Sequence, residues 1–173
     1  MVEQRSLPAD RDAHFRYDGV NAYAVVRLDT DSEDDSLSDQ LAEPMIGLAM
    51  ATRGSDVPQW FSEGVARAIV NTRVRRLDRA TKRALRIQFL EAAAATKDAK
   101  QFLEGRLQAE QLEAIATAIG SFVTDSSQKA AFSSLVRSLN SGEPFDASFA
   151  KSFGGSTEAF VDAYLKTVNG GAN

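Results

Sequence analysis

The sequence predicts a mainly helical fold in which one or a few N-terminal strands precede about six helices. Only residues 21–29 (NAYAVVRLD) are rich enough in strand-forming side chains to predict a strand. Most of the chain after this strand places apolar residues at the three- and four-residue spacing of amphipathic helices. The chain has 173 residues, 43% of them apolar, which is enough for the core of one domain.

The two ends and one internal loop are predicted to lie outside this core. Residues 1–19 are polar and are predicted to be a flexible segment before a domain over residues 20–168, and residues 169–173 to be a disordered tail. The strand runs into an acidic loop over residues 29–39. This loop lacks the glycine and the final glutamate of a calcium-binding loop, so a solvated loop that ends in a helix cap is predicted.

The first helix is predicted over residues 36–53. Pro44 lies inside it and is expected to kink the helix or to mark its true beginning. The predicted buried stripe consists of apolar residues at helical spacing: Leu37, Leu41, Met45, Leu48 and Ala49.

The second helix has a predicted start because Asp56 and Gln59 have the spacing of a capping box. Trp60 and Phe61 at its beginning are predicted to be core residues. Gly64 costs about 1 kcal/mol relative to alanine inside a helix, so it predicts the close approach of another backbone.

Later segments also show helical periodicity and helix-end signals. Helices are predicted over residues 78–97, 109–123, 126–139 and 145–153, and a last helix is predicted to be capped by Ser156.

Composition excludes several classes of site. The chain has no cysteine, which excludes disulfides, thiolate metal sites and a cysteine nucleophile. The net charge of −4 gives no general reason to expect nucleic acid or an anionic membrane as a partner. No apolar run is long enough to span a membrane, and the first residues do not form a signal peptide. The compartment stays open, including an extracytoplasmic one if an N-terminal region is missing.

Residues 73–86, here called the basic segment, concentrate positive charge. The seven basic residues are Arg73, Arg75, Arg76, Arg79, Lys82, Arg83 and Arg86. A nucleic-acid or phosphate site is one interpretation, but no glycine-rich loop or interleaved aromatic residue accompanies the charges. A solvated helix face is therefore predicted, with the acidic loop over 29–39 as a candidate partner.

Residues 57–67 (VPQWFSEGVAR) resemble the P-x-W-[LF]-x-E-G-x-A segment of gluzincin metallopeptidases, the peptidase-MA-like domains. In that family the glutamate, here Glu63, is the third zinc ligand, on the helix that follows the one with the H-E-x-x-H motif. Counting back from Trp60 by the family's spacing aligns that motif with residues 42–46 (AEPMI). Glu43 is kept, whereas Ala42 and Ile46 stand where the two zinc-binding histidines would be.

The flanks of residues 42–46 and the tail of the chain extend the resemblance to roughly residues 20–168. In the tail, Gly142 and the run FGGSTEAF at residues 153–160 are similar to the closing pattern of the family. The resemblance implies a zincin-like α+β remnant.

The missing histidines imply a loss of catalysis. A catalytic zinc site takes about three protein ligands, and the only histidine, His14, is predicted to be exposed near the strand. Glu43 and Glu63 are then relics of the family site. The resemblance thus implies a pseudopeptidase without metal or cofactor, acting as a binding or structural module for an unknown protein or peptide partner.

Two alternatives stay open. In the first alternative, the chain is a hydrolase that uses Glu43 and Glu63 without the zinc site of the family, or with a metal completed by a partner chain. In the second, it is a generic helical interaction domain in which the P-x-W-F-x-E-G segment is a coincidence. A short sheet packed beside the helix of residues 42–46 would argue against the coincidence.

Overall fold

The structure, a computed structural model, describes residues 13–27, 37–54 and 56–170. The described part is mainly helical and has one two-stranded antiparallel sheet at its N-terminal end, which confirms the predicted fold class. Most of the predicted flexible N-terminal segment, most of the acidic loop and the last three residues lie outside the described residues.

A short hairpin forms the sheet. Strand β1 (Ala13–Tyr17) pairs with strand β2 (Ala22–Val26). In the turn between them, the backbone N–H groups of Asn21 and Val20 donate to the Asp18 carboxylate at 2.7 and 3.0 Å. These bonds hold the pKa of Asp18 below its usual value. The prediction of an irregular segment over residues 1–19 is wrong at 13–17. There Ala13, Phe15 and Tyr17 alternate with the polar His14 and Arg16, a strand pattern that is easily missed inside a segment that is polar as a whole.

Helix α1 (Leu37–Ala51) continues through Pro44, so the proline does not mark its beginning. The predicted buried stripe is wrong in part, because Met45 is 56% exposed and Ala49 is exposed. Gly47 and Met50 are buried instead, on a neighbouring face.

The hairpin covers this buried face of α1. The Phe15 ring lies so close to Gly47 that a Cβ at position 47 would overlap it. The absence of a side chain at Gly47 therefore creates the space that the Phe15 ring of the sheet occupies. The apolar spacing of α1 does not predict this face, because it takes account only of hydrophobic side chains.

Helix α2 (Gln59–Ile69) runs on into a π-helical turn (Val70–Val74). The predicted capping box is wrong. No side chain caps the start of α2, and the Asp56 carboxylate instead accepts a hydrogen bond of 2.8 Å from the backbone N–H of Phe145.

Six further helices follow, and five of them match predicted segments to within three residues at most of their ends. They are α3 (Arg79–Ala95), α4 (Ala99–Leu103), α5 (Ala109–Val123), α6 (Lys129–Asn140), α7 (Phe145–Phe153) and α8 (Thr157–Gly170). The sequence did not predict α4, which is a little over one turn long. Helix α8 extends to Gly170, so two of the residues predicted to belong to the tail are helical. The Ser156 side chain caps α8 as predicted, accepting from the Ala159 backbone N–H at 3.2 Å.

The core is built around α2 and α5. Phe61 and Val65 of α2 are buried together with Ile115 and Ile119 of α5. Trp60 is partly buried, and its ring centroid lies 5.0 Å from that of Phe102 in α4. Both aromatic residues therefore pack into the core as predicted, Phe61 completely and Trp60 along one side.

Two glycines allow α2 and α5 to cross with their backbones in contact. A Cβ on Gly64 would overlap the carbonyl oxygen of Ala116 and lie 2.7 Å from its carbonyl carbon. A Cβ on Gly120 would likewise lie 2.8 Å from the backbone nitrogen of Val65. The predicted close approach at Gly64 is confirmed, and its partner is α5.

We expect Gly64→Ala to lower the free energy of unfolding by about 3 kcal/mol, because the added methyl group meets rigid backbone atoms rather than a movable side chain. Gly155→Ala is the matched control, since nothing lies within 4 Å of the Cβ that it would add. Urea unfolding of both variants is the measurement. Equal stability of the two variants would contradict the close crossing.

Candidate functional site

The two glutamates of the motif lie on adjacent helices. Glu43 is on α1 and Glu63 on α2. The Glu43 carboxylate contacts the guanidinium of Arg67, with Oε1 at 3.1 Å from Nε and 3.0 Å from Nη2. The side chains of this pair are only 24% and 21% exposed, so solvent screens the pair less than an ion pair at the surface.

Arg67 also reaches the third helix. Its Nη1 lies 3.4 Å from Oε1 of Glu113 and 3.5 Å from the Oγ1 of Thr117, both on α5. One guanidinium thus joins α1, α2 and α5 and faces two carboxylates. The sequence pattern predicts no role for Arg67, although this residue lies one turn after Glu63 in an otherwise apolar stretch of α2.

The remaining motif residues do not converge on a metal site. The Glu63 carboxylate accepts a hydrogen bond of 2.7 Å from the side-chain amide of Gln59. Ala42 and Ile46 are half-buried, one helical turn apart on α1. Among the described residues, no three histidine, aspartate or glutamate side chains are grouped so that they could hold a metal ion.

His14 lies in β1, where it was not expected. It is half-buried, and its Nδ1 is buried without a hydrogen-bond partner in the described part of the protein. The prediction of an exposed histidine beside the strand is wrong, because the strand partner of β2 is the segment that contains it.

A cleft of about 970 Å³ begins at Arg67 and extends between α3 and α5. Its Arg67 end is polar and includes Asn71 and Glu113. At the other end, the walls are aromatic and aliphatic, formed by Phe89, Ala92, Ala118, Phe122 and Tyr164.

Tyr164 of α8 closes the aromatic end of the cleft. Its hydroxyl group donates to the backbone carbonyl of Ala118 at 3.3 Å, and its ring centroid is 5.5 Å from that of Phe122. Burial raises the pKa of the Tyr164 phenol above its usual value, because the charged phenolate loses solvation there.

The basic segment occupies the π-helical turn, the connection after it and the first half of α3. All seven basic side chains are exposed, and none forms an ion pair within the described part of the chain. Arg76 has a φ of +48°, in the left-handed region that residues other than glycine rarely adopt. The acidic loop over residues 29–39, the candidate partner of the basic segment, lies mostly outside the described residues.

Comparison of the chain with models of protein families, with curated proteins and with solved structures found no match. In the described ranges, no helix combines the length and the apolar character needed to cross a membrane.

A double-mutant cycle on Glu43→Gln and Arg67→Met should give a coupling energy of about 1–2 kcal/mol, because the pair is largely shielded from solvent. Arg67→Met should be the worse single change, since it leaves two carboxylates without their cation. The control cycle uses Lys100 and Glu158, whose side chains are 64% and 54% exposed, and should give less than about 0.5 kcal/mol. Equal coupling in both cycles would contradict a special role for Arg67.

Stability should fall at alkaline pH through Tyr164. The unfolded chain releases this phenolic proton near pH 10, as an ordinary tyrosine does, whereas the folded protein keeps it to a higher pH. The stability from this group is therefore complete below about pH 10 and decreases as pH rises through the folded pKa. Urea unfolding at about pH 9 and pH 11 should show a smaller loss in Tyr164→Phe than in the unaltered protein. An identical loss in both would contradict the raised pKa.

Proposed function

We propose that the chain is a catalytically inactive domain resembling gluzincin metallopeptidases that serves as a binding or structural module. The observation that carries this proposal is the ion pair between Glu43 and Arg67. In the alignment, Glu43 stands at the glutamate of H-E-x-x-H, which is the general base of the family, and here its carboxylate is held by a cation of the neighbouring helix.

This pairing opposes the chemistry of the family. A general base must face the water or substrate from which it takes a proton. Glu43 directs its Oε1 at a guanidinium instead, and a divalent metal beside it would be repelled by the charge of Arg67. Glu63 is likewise engaged, with Gln59. These contacts favour the inactive module over the metal-free hydrolase.

The register of the two helices supports the alignment of residues 42–46. Glu43 lies eight residues before the end of α1 and Arg67 lies eight residues after the start of α2, so their ion pair fits two helices that run in opposite directions. With Glu43 opposite Arg67, one turn forward on α1 leads to Ile46 and one turn back on α2 leads to Glu63. The alignment therefore implies that a former histidine position and the retained third ligand lie at the same level of the two helices.

The hairpin adds a second argument for the resemblance. It packs directly on α1, with Phe15 against Gly47, one residue after the aligned pentapeptide. A short sheet beside this helix is the layout that the resemblance implies, and a generic helical bundle has no need of it.

The proposal predicts that zinc binding can be restored in Ala42→His/Ile46→His. The unaltered protein should bind no zinc in calorimetry and should not cleave casein. The double variant should bind zinc, and adding Glu63→Gln should weaken that binding by about tenfold, because a ligand is lost.

The matched control is Met45→His/Ala49→His, which creates a histidine pair of the same spacing on the exposed face of α1. It should bind zinc at least about tenfold more weakly than the Ala42→His/Ile46→His variant. Equal affinity of the two histidine pairs, or no effect of Glu63→Gln, would show that positions 42, 46 and 63 do not form the family's site. Peptidase activity of the unaltered protein would contradict the proposal directly.

A further inference from the structure

We propose that the basic segment and the adjoining apolar residues Ile87 and Leu90 of α3 form a docking surface for an acidic amphipathic helix of a partner protein. This inference goes beyond the proposed function and does not depend on it, because it concerns a surface that contains none of the motif residues.

The first argument is uncompensated charge. The chain has a net charge of −4, and residues 73–86 alone contribute +6, so the other residues together carry −10. The single acidic residue in the segment, Asp78, caps α3 by accepting from the Thr81 backbone N–H at 2.7 Å. Like charges at this density repel one another, so a complementary anionic surface would remove an unfavourable interaction.

The second argument is the arrangement of the charges. Arg79, Arg83, Arg86 and Leu90 have the spacing i, i+4, i+7 and i+11, which places them in one line on the surface of α3. Ile87 lies beside this line. The buried residues of α3 are confined to its second half, from Phe89 onward, so the first half presents its side chains to solvent.

The backbone before α3 is held in a defined shape. The π-helical turn ends with the Arg75 backbone N–H donating to the Val70 carbonyl at 2.9 Å, and Arg76 follows with its positive φ. A conformation that costs energy for a residue with a side chain persists only where the surrounding structure enforces it. The turn that contains Arg73 and leads through Arg75 and Arg76 to α3 therefore has a defined backbone shape.

The apolar residues favour a protein partner over a nucleic acid. Ile87 is 45% and Leu90 37% exposed. Leu90 continues the arginine line toward the end of α3, and Ile87 lies beside it. Proteins bind single-stranded nucleic acids by stacking the bases on aromatic side chains. The only aromatic residue among residues 73–90 is Phe89, which is buried. A helix with glutamates along one half of a face and leucines along the other complements both parts of the line.

The same surface fits an anionic membrane poorly. Two partly exposed aliphatic side chains bury little area in a bilayer, whereas helices that lie in membrane interfaces present a whole apolar face.

The test uses a fluorescein-labelled synthetic peptide of about 16 residues whose helical face presents three glutamates followed by two leucines. Fluorescence anisotropy at about 150 mM salt measures its binding to the full chain. We expect saturable binding, at least about tenfold weaker binding of the peptide with glutamines for glutamates, and a similar loss for Arg79→Gln/Arg83→Gln/Arg86→Gln.

A matched control separates this surface from overall charge. Lys97→Gln/Lys129→Gln/Arg137→Gln also removes three positive charges, at exposed positions outside the basic segment. The affinity of this variant for the peptide should stay within about twofold of that of the unaltered protein. Ile87→Ser/Leu90→Ser should lose about fivefold, because the leucines of the peptide lose their contact. Circular dichroism checks that each variant keeps its helical content.

Four outcomes would overturn the proposal. Equal losses in the two triple variants would show attraction by overall charge only. An unchanged affinity for the peptide in Ile87→Ser/Leu90→Ser would show that the surface binds polyanions and that the apolar residues take no part. Tighter binding of a DNA duplex or of phosphatidylserine vesicles than of the peptide would assign the surface to another class of partner. Binding that appears only after Asp31→Asn/Asp34→Asn/Asp35→Asn would make the chain's own acidic segment the occupant.

Discussion

The contact between the backbones of α2 and α5 determines the arrangement of the other helices. Gly64 and Gly120 lack the Cβ atoms that would separate these helices, so the carbonyl groups of one lie against the backbone of the other. Arg67 follows Gly64 by one turn and can therefore reach Glu113 and Thr117, which flank the crossing on α5. A larger separation would break this bridge, so the ion-pair network depends on the absence of two methyl groups.

The beginning of α2 organises the C-terminal half of the chain. Phe61 lies one turn before Gly64, and its ring centroid is 4.9 Å from that of Phe145 at the start of α7. The Asp56 carboxylate binds the backbone N–H of the same Phe145. Helix α7 is therefore positioned by a packing contact and a hydrogen bond that both originate at the beginning of α2. This explains why the segment of residues 56–67 contains so many of the contacts that join distant parts of the chain.

The sequence predicted those features that depend on neighbours along the chain. The helices from α3 to α8, apart from the short α4, have apolar periodicity and end signals within the segment itself. The errors concern partners that are distant in sequence. Asp56 is predicted to cap the nearest helix, but its carboxylate accepts from the backbone N–H of Phe145, 89 positions away. The buried face of α1 likewise depends on where Phe15 lies. For the candidate site, the motif pointed to Glu43 and Glu63. The cation that holds Glu43 could not be predicted, since Arg67 becomes a partner only when the helices pack.

On the proposed assignment, Arg67 has taken over the structural part of what a zinc ion does in the family. A metal between two helices is a positive centre that several side chains approach, and the guanidinium here is approached by Glu43 from α1 and by Glu113 from α5. A guanidinium has no open coordination position, however, and it cannot lower the pKa of a bound water as zinc does. On the proposed assignment, a guanidinium in place of the metal would therefore preserve the attraction between the helices and remove the means of hydrolysis.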